Sequence, residues 1–327
     1  MNSPHLFDPV VWDTAEELGF DSTGGVTREE FLRTRNDAVP LIAAAQTGDL
    51  AAVSVLLSQP DIAVDASGRL GETALHMAAA LGYATIVDAL ICAGAPVDAV
   101  DKDGSTPITH CARFCAPERA VSVATLLLAA GADATRETGA HRSTVQWAAL
   151  AGNAPLVELL LTHSSSPPGS VLADALASRR ADVVRAVLQH APAPDVTDLR
   201  PALWCGSWDV FDAVYQKAAP SRDAFTAFAS QVLDDLLYEK IPHGGFTIVD
   251  VADRFLGQYD ADPDAESLAA VLLASGDMAL LDVAVKHGLD VKRLGDAQLS
   301  ELLAEARGRK APPEFELRAA ALREERK

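Results

Sequence analysis

The sequence predicts an all-α fold: a solenoid of stacked helix pairs joined by short β-turn connections. Three observations carry that expectation. Short alanine-containing blocks recur at Val39-Pro40-Leu41-Ile42-Ala43-Ala44-Ala45, Thr73-Ala74-Leu75-His76-Met77-Ala78-Ala79, Thr106-Pro107-Ile108-Thr109-His110-Cys111-Ala112 and Ser143-Thr144-Val145-Gln146-Trp147-Ala148-Ala149, and their second positions are 34, 33 and 37 residues apart. Each block is followed by a second apolar stretch of helical pattern, Val53–Leu57, Ile86–Ile91, Val123–Leu128 and Leu156–Leu161, and then by turn signals such as Ala93-Gly94-Ala95. About a fifth of the 327 residues are alanine and only 6% are aromatic, a mix that suits closely packed helices better than a β-sandwich. With 49% apolar and 22% charged residues the chain has the make-up of a globular protein with a large core, of one to three domains.

The elements follow in order. Residues 1–37 lack the repeat and are expected to be an N-terminal extension, with a short helix over Thr27–Arg35 after Gly24-Gly25 that either caps the first repeat or lies in its groove. Met1 to Phe20 holds Asp8, Asp13, Glu16 and Glu17 and no apolar run, so no signal peptide is expected there. Residues 38–167 carry the four repeats. Thr at the start of a first helix caps free backbone N–H groups, and Pro after it tolerates the first turn. The paired alanines let two helices approach closely, and Gly82 and Gly152 permit the left-handed conformation that ends a helix. One such unit cannot bury its apolar face alone, so the units must stack.

These blocks resemble the ankyrin repeat, whose signature is T-P-L-H-x-A at a period near 33. The best matches are Gly71-Glu72-Thr73-Ala74-Leu75-His76-Met77-Ala78-Ala79 and Asp101-Lys102-Asp103-Gly104-Ser105-Thr106-Pro107. The clear match ends near residue 165. Over 168–293 the pattern decays into degenerate ankyrin-like helix pairs, among them Leu172–Ser178 with Val183–Leu188, Ala202–Gly206 with Val210–Tyr215, and Leu272–Asp277 with Leu280–Val285. Gly276 and Gly288 restore the spacing of twelve seen between Gly82 and Gly94. Ala224–Tyr238 and Phe246–Tyr259 are helical by pattern but fit the repeat poorly. Residues 294–327 are read as a capping helix, Gln298–Arg307, followed by Pro312-Pro313 and a charged tail.

The resemblance implies a binding module that holds a protein or peptide on a concave face, lined by the turn before each Thr and the two residues after each alanine pair. Carried over residue by residue, the groove comprises Leu81, Lys102, Asp103, Arg113, Phe114, Arg142, Leu150 and, by weaker alignment, Trp204. Leu81, Phe114, Leu150 and Trp204 would form an apolar floor under a charged rim, with Arg113, Phe114 and Trp204 as hot-spot residue types.

Other chemistry is thin. The net charge of −19 argues against nucleic acid or an anionic membrane as main partner. No stretch is long and apolar enough for a membrane helix. Four cysteines, Cys92, Cys111, Cys115 and Cys205, form no disulfide framework and no C-x-x-C pair, so a reducing, cytoplasmic setting is expected, with no metal and no cofactor. His76 is the residue the motif calls for, with a structural role in hydrogen bonding between turns. The rival reading is an enzyme of small-molecule metabolism, isomerase- or cyclase-like. It would place acid and base groups in a pocket of the degenerate half, with His110, Asp174, Arg200 and Asp209 as candidates. A small-molecule ligand stays open on that reading, as does a third, an adaptor that passes on what it captures.

Overall fold

The computed structural model describes residues 39–163, 171–238 and 246–324. The N-terminal extension 1–37 with its expected helix, and the loop at 164–169, lie outside the described residues. The chain forms two compact units, one ending at Pro192 and the other beginning at Ala193. All regular elements among the described residues are helical, apart from isolated β-bridges at Ser67–Thr73 and Glu137–Ser143.

The first unit is built from helix pairs. They are α1 (Pro40–Thr47) with α2 (Leu50–Leu57), α3 (Ala74–Leu81) with α4 (Ala84–Cys92), and α5 (Pro107–Phe114) with α6 (Pro117–Ala129). Then come α7 (Thr144–Leu150) with α8 (Ala154–His163), and α9 (Val171–Ala177) with α10 (Ala181–His190). The first helices stack in one row, α1 to α3 to α5 to α7 to α9, and the second helices in another, α2 to α10. α3 shows why the rows close: all eight of its residues are buried. Its Ala78 and Ala79 take little room, so α1 and α5 approach it on either side. The second row supplies Val53, Ile86, Val87, Leu90, Val123, Leu127 and Leu160, all fully buried. Each contributes on the order of 1.5–3 kcal/mol relative to exposure. The fifth pair lies in the segment read from sequence as degenerate, yet by packing it continues the first unit, α9 on α7 and α10 on α8.

The one irregular spacing has a local cause. Gly48, Gly82 and Gly152 end their helices with φ of 72°, 78° and 74°. The third repeat has Cys115 at that place, with φ −75° and ψ 140°, so the chain leaves α5 extended. Ala116-Pro117 then starts α6, which runs for 13 residues against nine in α4. That extra turn accounts for a period of 37 where the preceding one is 33.

Between pairs the chain makes one-rung turns: Gly68 N–H donates to Glu72 O, Asp101 N–H to Ser105 O and Thr138 N–H to Arg142 O, at 2.8, 3.0 and 2.9 Å. Successive tips are tied by Lys102 N–H to Leu70 O (2.8 Å) and Gly139 N–H to Asp103 O (2.7 Å). These bonds satisfy backbone groups that no helix covers.

The second unit repeats the pairing with other side chains. Its helices are α11 (Leu199–Trp204) and α12 (Trp208–Ala218), α13 (Arg222–Tyr238) and α14 (Ile248–Gly257), α15 (Glu266–Ala274) and α16 (Met278–Lys286), then α17 (Asp296–Gly308) and α18 (Pro313–Glu324). α13, α15 and α17 form one row, and α16 packs on α14. The core here is aromatic. Phe211, Phe225 and Phe255 are fully buried, with Phe211 stacked on Phe255 at 5.7 Å and Phe225 edge-on to Phe255 at 5.2 Å. The two stretches that fit the repeat poorly are thus α13 and α14, whose rings fill space that alanines leave closed in the first unit.

The glycine geometry yields a stability ranking. A Cβ at Gly82 would come within 2.8 Å of Arg119 Cβ and 2.9 Å of Cys115 Sγ, whereas at Gly94 it would meet nothing. Both positions have positive φ. Gly82→Ala is expected to cost about 2–3 kcal/mol and Gly94→Ala about 1 kcal/mol, read as shifts in urea midpoint.

Candidate functional site

In α3, α5 and α7 the third residue of the helix does two jobs. His76 Nδ1 accepts from Thr73 N–H (3.1 Å) and lies 2.9 Å from Thr73 Oγ1, closing a capping box on α3. The proton is thereby left on Nε2, which donates to Ser105 O of the next repeat at 3.1 Å. One repeat on, Thr109 Oγ1 meets Thr106 Oγ1 of its own cap at 3.1 Å and Thr144 Oγ1 of the following repeat at 3.0 Å. In the fourth, Gln146 Oε1 accepts from Ser143 N–H (3.0 Å) while Nε2 donates to Asp174 Oδ2 on α9 (2.9 Å). Three chemically different side chains therefore make the same staple. The first repeat has Ile42 at this place and uses Gln46 instead, whose Nε2 reaches Met77 Sδ at 3.2 Å.

Around the first staple lies an ionisable cluster. The His76 and His110 rings meet edge-on at 4.9 Å, and His110 Nε2 donates to Asp101 Oδ2 at 2.7 Å. Asp101 Oδ1 also accepts from Asp103 N–H and Ser105 N–H, at 2.9 and 2.8 Å. Burial pushes the His76 imidazole down to about 3, with the neighbouring His110 ring adding to the effect. Burial alone would raise the Asp101 carboxyl, but the hydrogen bond and charge of His110 outweigh it and hold the group below its ordinary range. An Asp–His pair resembles part of a proton-transfer site, but these side chains are 6% and 4% exposed, which leaves a substrate little access.

The remaining catalytic candidates stand among other partners. Asp174 accepts from Gln146 and lies 3.6 Å from Arg142 Nε, so it is the far end of the last staple. In the second unit Arg200 pairs with Asp235 and sits over the Trp204 ring at 5.2 Å, and Asp209 is exposed on α12. His110 is held by Asp101, Asp174 by Gln146 and Arg142, and Arg200 by Asp235. Sequence reading missed a second-unit network: Tyr259 OH donates to Asp212 Oδ1, Arg254 Nη2 donates to Asp212 Oδ2 at 3.1 Å, and the Arg254 guanidinium lies 4.5 Å from the Trp208 ring centre. Burial, then the Asp212 carboxylate, pushes the Tyr259 phenol upward, so it serves as a donor. Asp212 had appeared in the sequence only as one of several acids, and nothing in its spacing from Tyr259 pointed to the pair. Among the described residues no group of three or more His, Cys, Asp or Glu side chains converges as a metal ion would require.

The groove residues of the first unit fall into two sets. Lys102 and Asp103 are exposed on a turn tip, as is Arg69 on the preceding one, while Arg142 and Leu150 are half-buried. Arg113, also half-buried, packs its guanidinium against Trp147 at 4.2 Å and Phe114 at 4.9 Å, and Arg142 lies 5.3 Å from Trp147. The expected apolar floor requires correction. Leu81 and Phe114 are 6% and 7% exposed, because the small Ala-Ala contacts draw the inner helices together and the residues after them sink between the rows. Phe114 packs edge-on against His110 at 5.4 Å. Trp204, half-buried, belongs to the second unit. What the first unit presents on its turn-tip side is therefore charged more than apolar: Arg69, Lys102, Arg113 and Arg142, with Asp103 and Glu137.

Residues 41–138 match the family model for ankyrin repeats, in three copies. This stretch is an ankyrin-repeat array. The chain is similar to part of the inactive serine/threonine-protein kinase TEX14 of Bos taurus, 41% identical over 91 residues, which is 28% of this chain and 6% of that protein. It is similar too to part of zinc finger CCCH domain-containing protein 24 of Oryza sativa subsp. japonica, 44% identical over 72 residues, which is 21% of this chain and 9% of that protein. The chain thus spans under a tenth of the length of either relative. Ankyrin repeats are generally protein-interaction modules. No helix among the described residues is long and apolar enough to cross a membrane.

The buried imidazole sets a pH dependence. His76 binds a proton near pH 6.5 when unfolded and near 3 when folded, so the unfolded state holds more protons between these values. Its contribution is whole above about pH 6.5 and falls as pH drops toward 3. From pH 7 to pH 5 the loss is about 2 kcal/mol, and His76→Gln is expected to flatten that part of the urea-midpoint profile. Gln146→Ala, which removes the staple to Asp174 and half of a capping box, is expected to cost about 2 kcal/mol by the same measurement.

Proposed function

We propose that the first unit is a protein-binding module that takes a peptide or protein segment along its turn tips and the adjoining face of the inner row. The observation that supports it is the alignment of Arg69, Lys102, Arg113 and Arg142 on that side of a chain whose net charge is −19. The guanidiniums of Arg113 and Arg142 are packed on Trp147, so part of their ordering entropy is already spent before a partner arrives. Leu150 adds a half-buried apolar contact. The partner chemistry that fits is a segment carrying carboxylates and some apolar side chains. A reducing, cytoplasmic setting belongs to the same proposal, on the sparse cysteines. An isomerase- or cyclase-like activity gains no support, since the Asp101–His110 pair is closed off and the other candidates are engaged elsewhere or isolated.

The test is affinity capture with quantitative mass spectrometry, followed by measured binding of the captured partner. Lys102→Glu/Arg113→Glu is expected to weaken binding at least tenfold while the melting temperature stays within a few degrees. Thr125→Glu, exposed on α6 in the other row, should bind as wild type does. Undiminished binding by the double variant, or equal loss in both, would overturn the proposal.

A further inference from the structure

We infer that the chain carries its own occupant for this face: residues 5–21, an acidic amphipathic segment, dock on the turn-tip cations of the first unit and compete with an external partner. This rests on the binding face proposed above and names the chemistry it takes.

Three observations carry it. Residues 5–21 contain five acids, Asp8, Asp13, Glu16, Glu17 and Asp21, and neither Lys nor Arg. Among them stand Phe7, Trp12 and Phe20, three of the ten Phe and four Trp in a chain that is only 6% aromatic. Acids alternating with large rings match a face whose cations sit beside half-buried apolar side chains, Arg113 and Arg142 beside Leu150. The reach is adequate. The segment ends 18 residues before Val39, where the first repeat begins, a tether of up to about 60 Å when extended. Stacked helices lie about 10 Å apart, so the third and fourth repeats are within that span. Tethering also makes the contact intramolecular, with an effective concentration that on the order of millimolar would let even weak charge pairing fill the face.

The experiment titrates a fluorescently labelled synthetic peptide of residues 5–21 into the full chain. Wild type is compared with Asp13→Lys/Glu16→Lys/Glu17→Lys, which disables the occupant in cis and leaves both folded units unaltered. The charge-reversed chain is expected to bind the added peptide at least tenfold tighter than wild type. Adding Arg69→Glu/Lys102→Glu, both exposed and so harmless to the fold, should take that gain away. Amide exchange over residues 5–21 should be at least tenfold slower in wild type than in the charge-reversed chain, independent of protein concentration. Equal peptide binding by both chains, or a gain that survives Arg69→Glu/Lys102→Glu, would overturn the inference. Protection that disappears on dilution would overturn it in favour of a second copy as occupant. If the peptide binds neither chain while an external partner still requires Lys102 and Arg113, the occupant is wrong and the face stands. If the external partner is also indifferent to those residues, the face itself is wrong.

Discussion

The stacking of the first unit turns on one constraint: each inner helix has to satisfy its own N-terminal N–H groups and also lock to its successor. In α3 and α7 a single side chain at the third helical position answers both, and in α5 Thr109 ties the cap hydroxyl to the next repeat. His76, Thr109 and Gln146 each reach back to their own cap and forward to the next repeat. These atoms are buried, so losing a partner would leave a polar group without water to replace it, at a cost of about 1–3 kcal/mol. The requirement is for a polar side chain that reaches both the cap and the next repeat, not for a particular residue. That is why histidine, threonine and glutamine exchange along the array while the geometry holds.

The two units solve the same packing problem with different materials. In the first, alanine pairs keep the inner helices close, and Leu81 and Phe114 disappear between rows. In the second, Phe211, Phe225 and Phe255 fill the interior and the 17-residue α13 replaces a short first helix. Rings need more room than methyl groups, so the register of small residues that marks the repeat cannot persist there. The half-buried Asp212–Arg254–Tyr259 network ties its helices together by charge-assisted hydrogen bonds.

The electrostatic character of the turn-tip side follows from burial as well. Leu81 and Phe114 sank into the core, Asp101 and Asp174 were taken up by His110, Gln146 and Arg142, and cations on long stems stayed at the boundary. Arginine suits that place because its guanidinium packs against a ring and stays charged.

The sequence by itself determined the helix pairs of the first unit and their period, because capping residues, alanine pairs and terminal glycines are local signals read within ten residues of one another. It also singled out His76 as structural, and the capping box and the bond to Ser105 give the reason. The irregular period of 37 was legible only as a number until Cys115 and the longer α6 explained it. Tertiary structure alone decided the rest. Asp174 reads as a loose acid in the chain and becomes the end of a staple only when α9 is laid against α7; Asp212 and Tyr259 are 47 residues apart and meet across two helices. Phe114 and Leu81 read as surface until the helices close over them. The physical reason is the same each time: a hydrogen bond or a burial depends on what the neighbouring helix brings, and no local pattern records that distance.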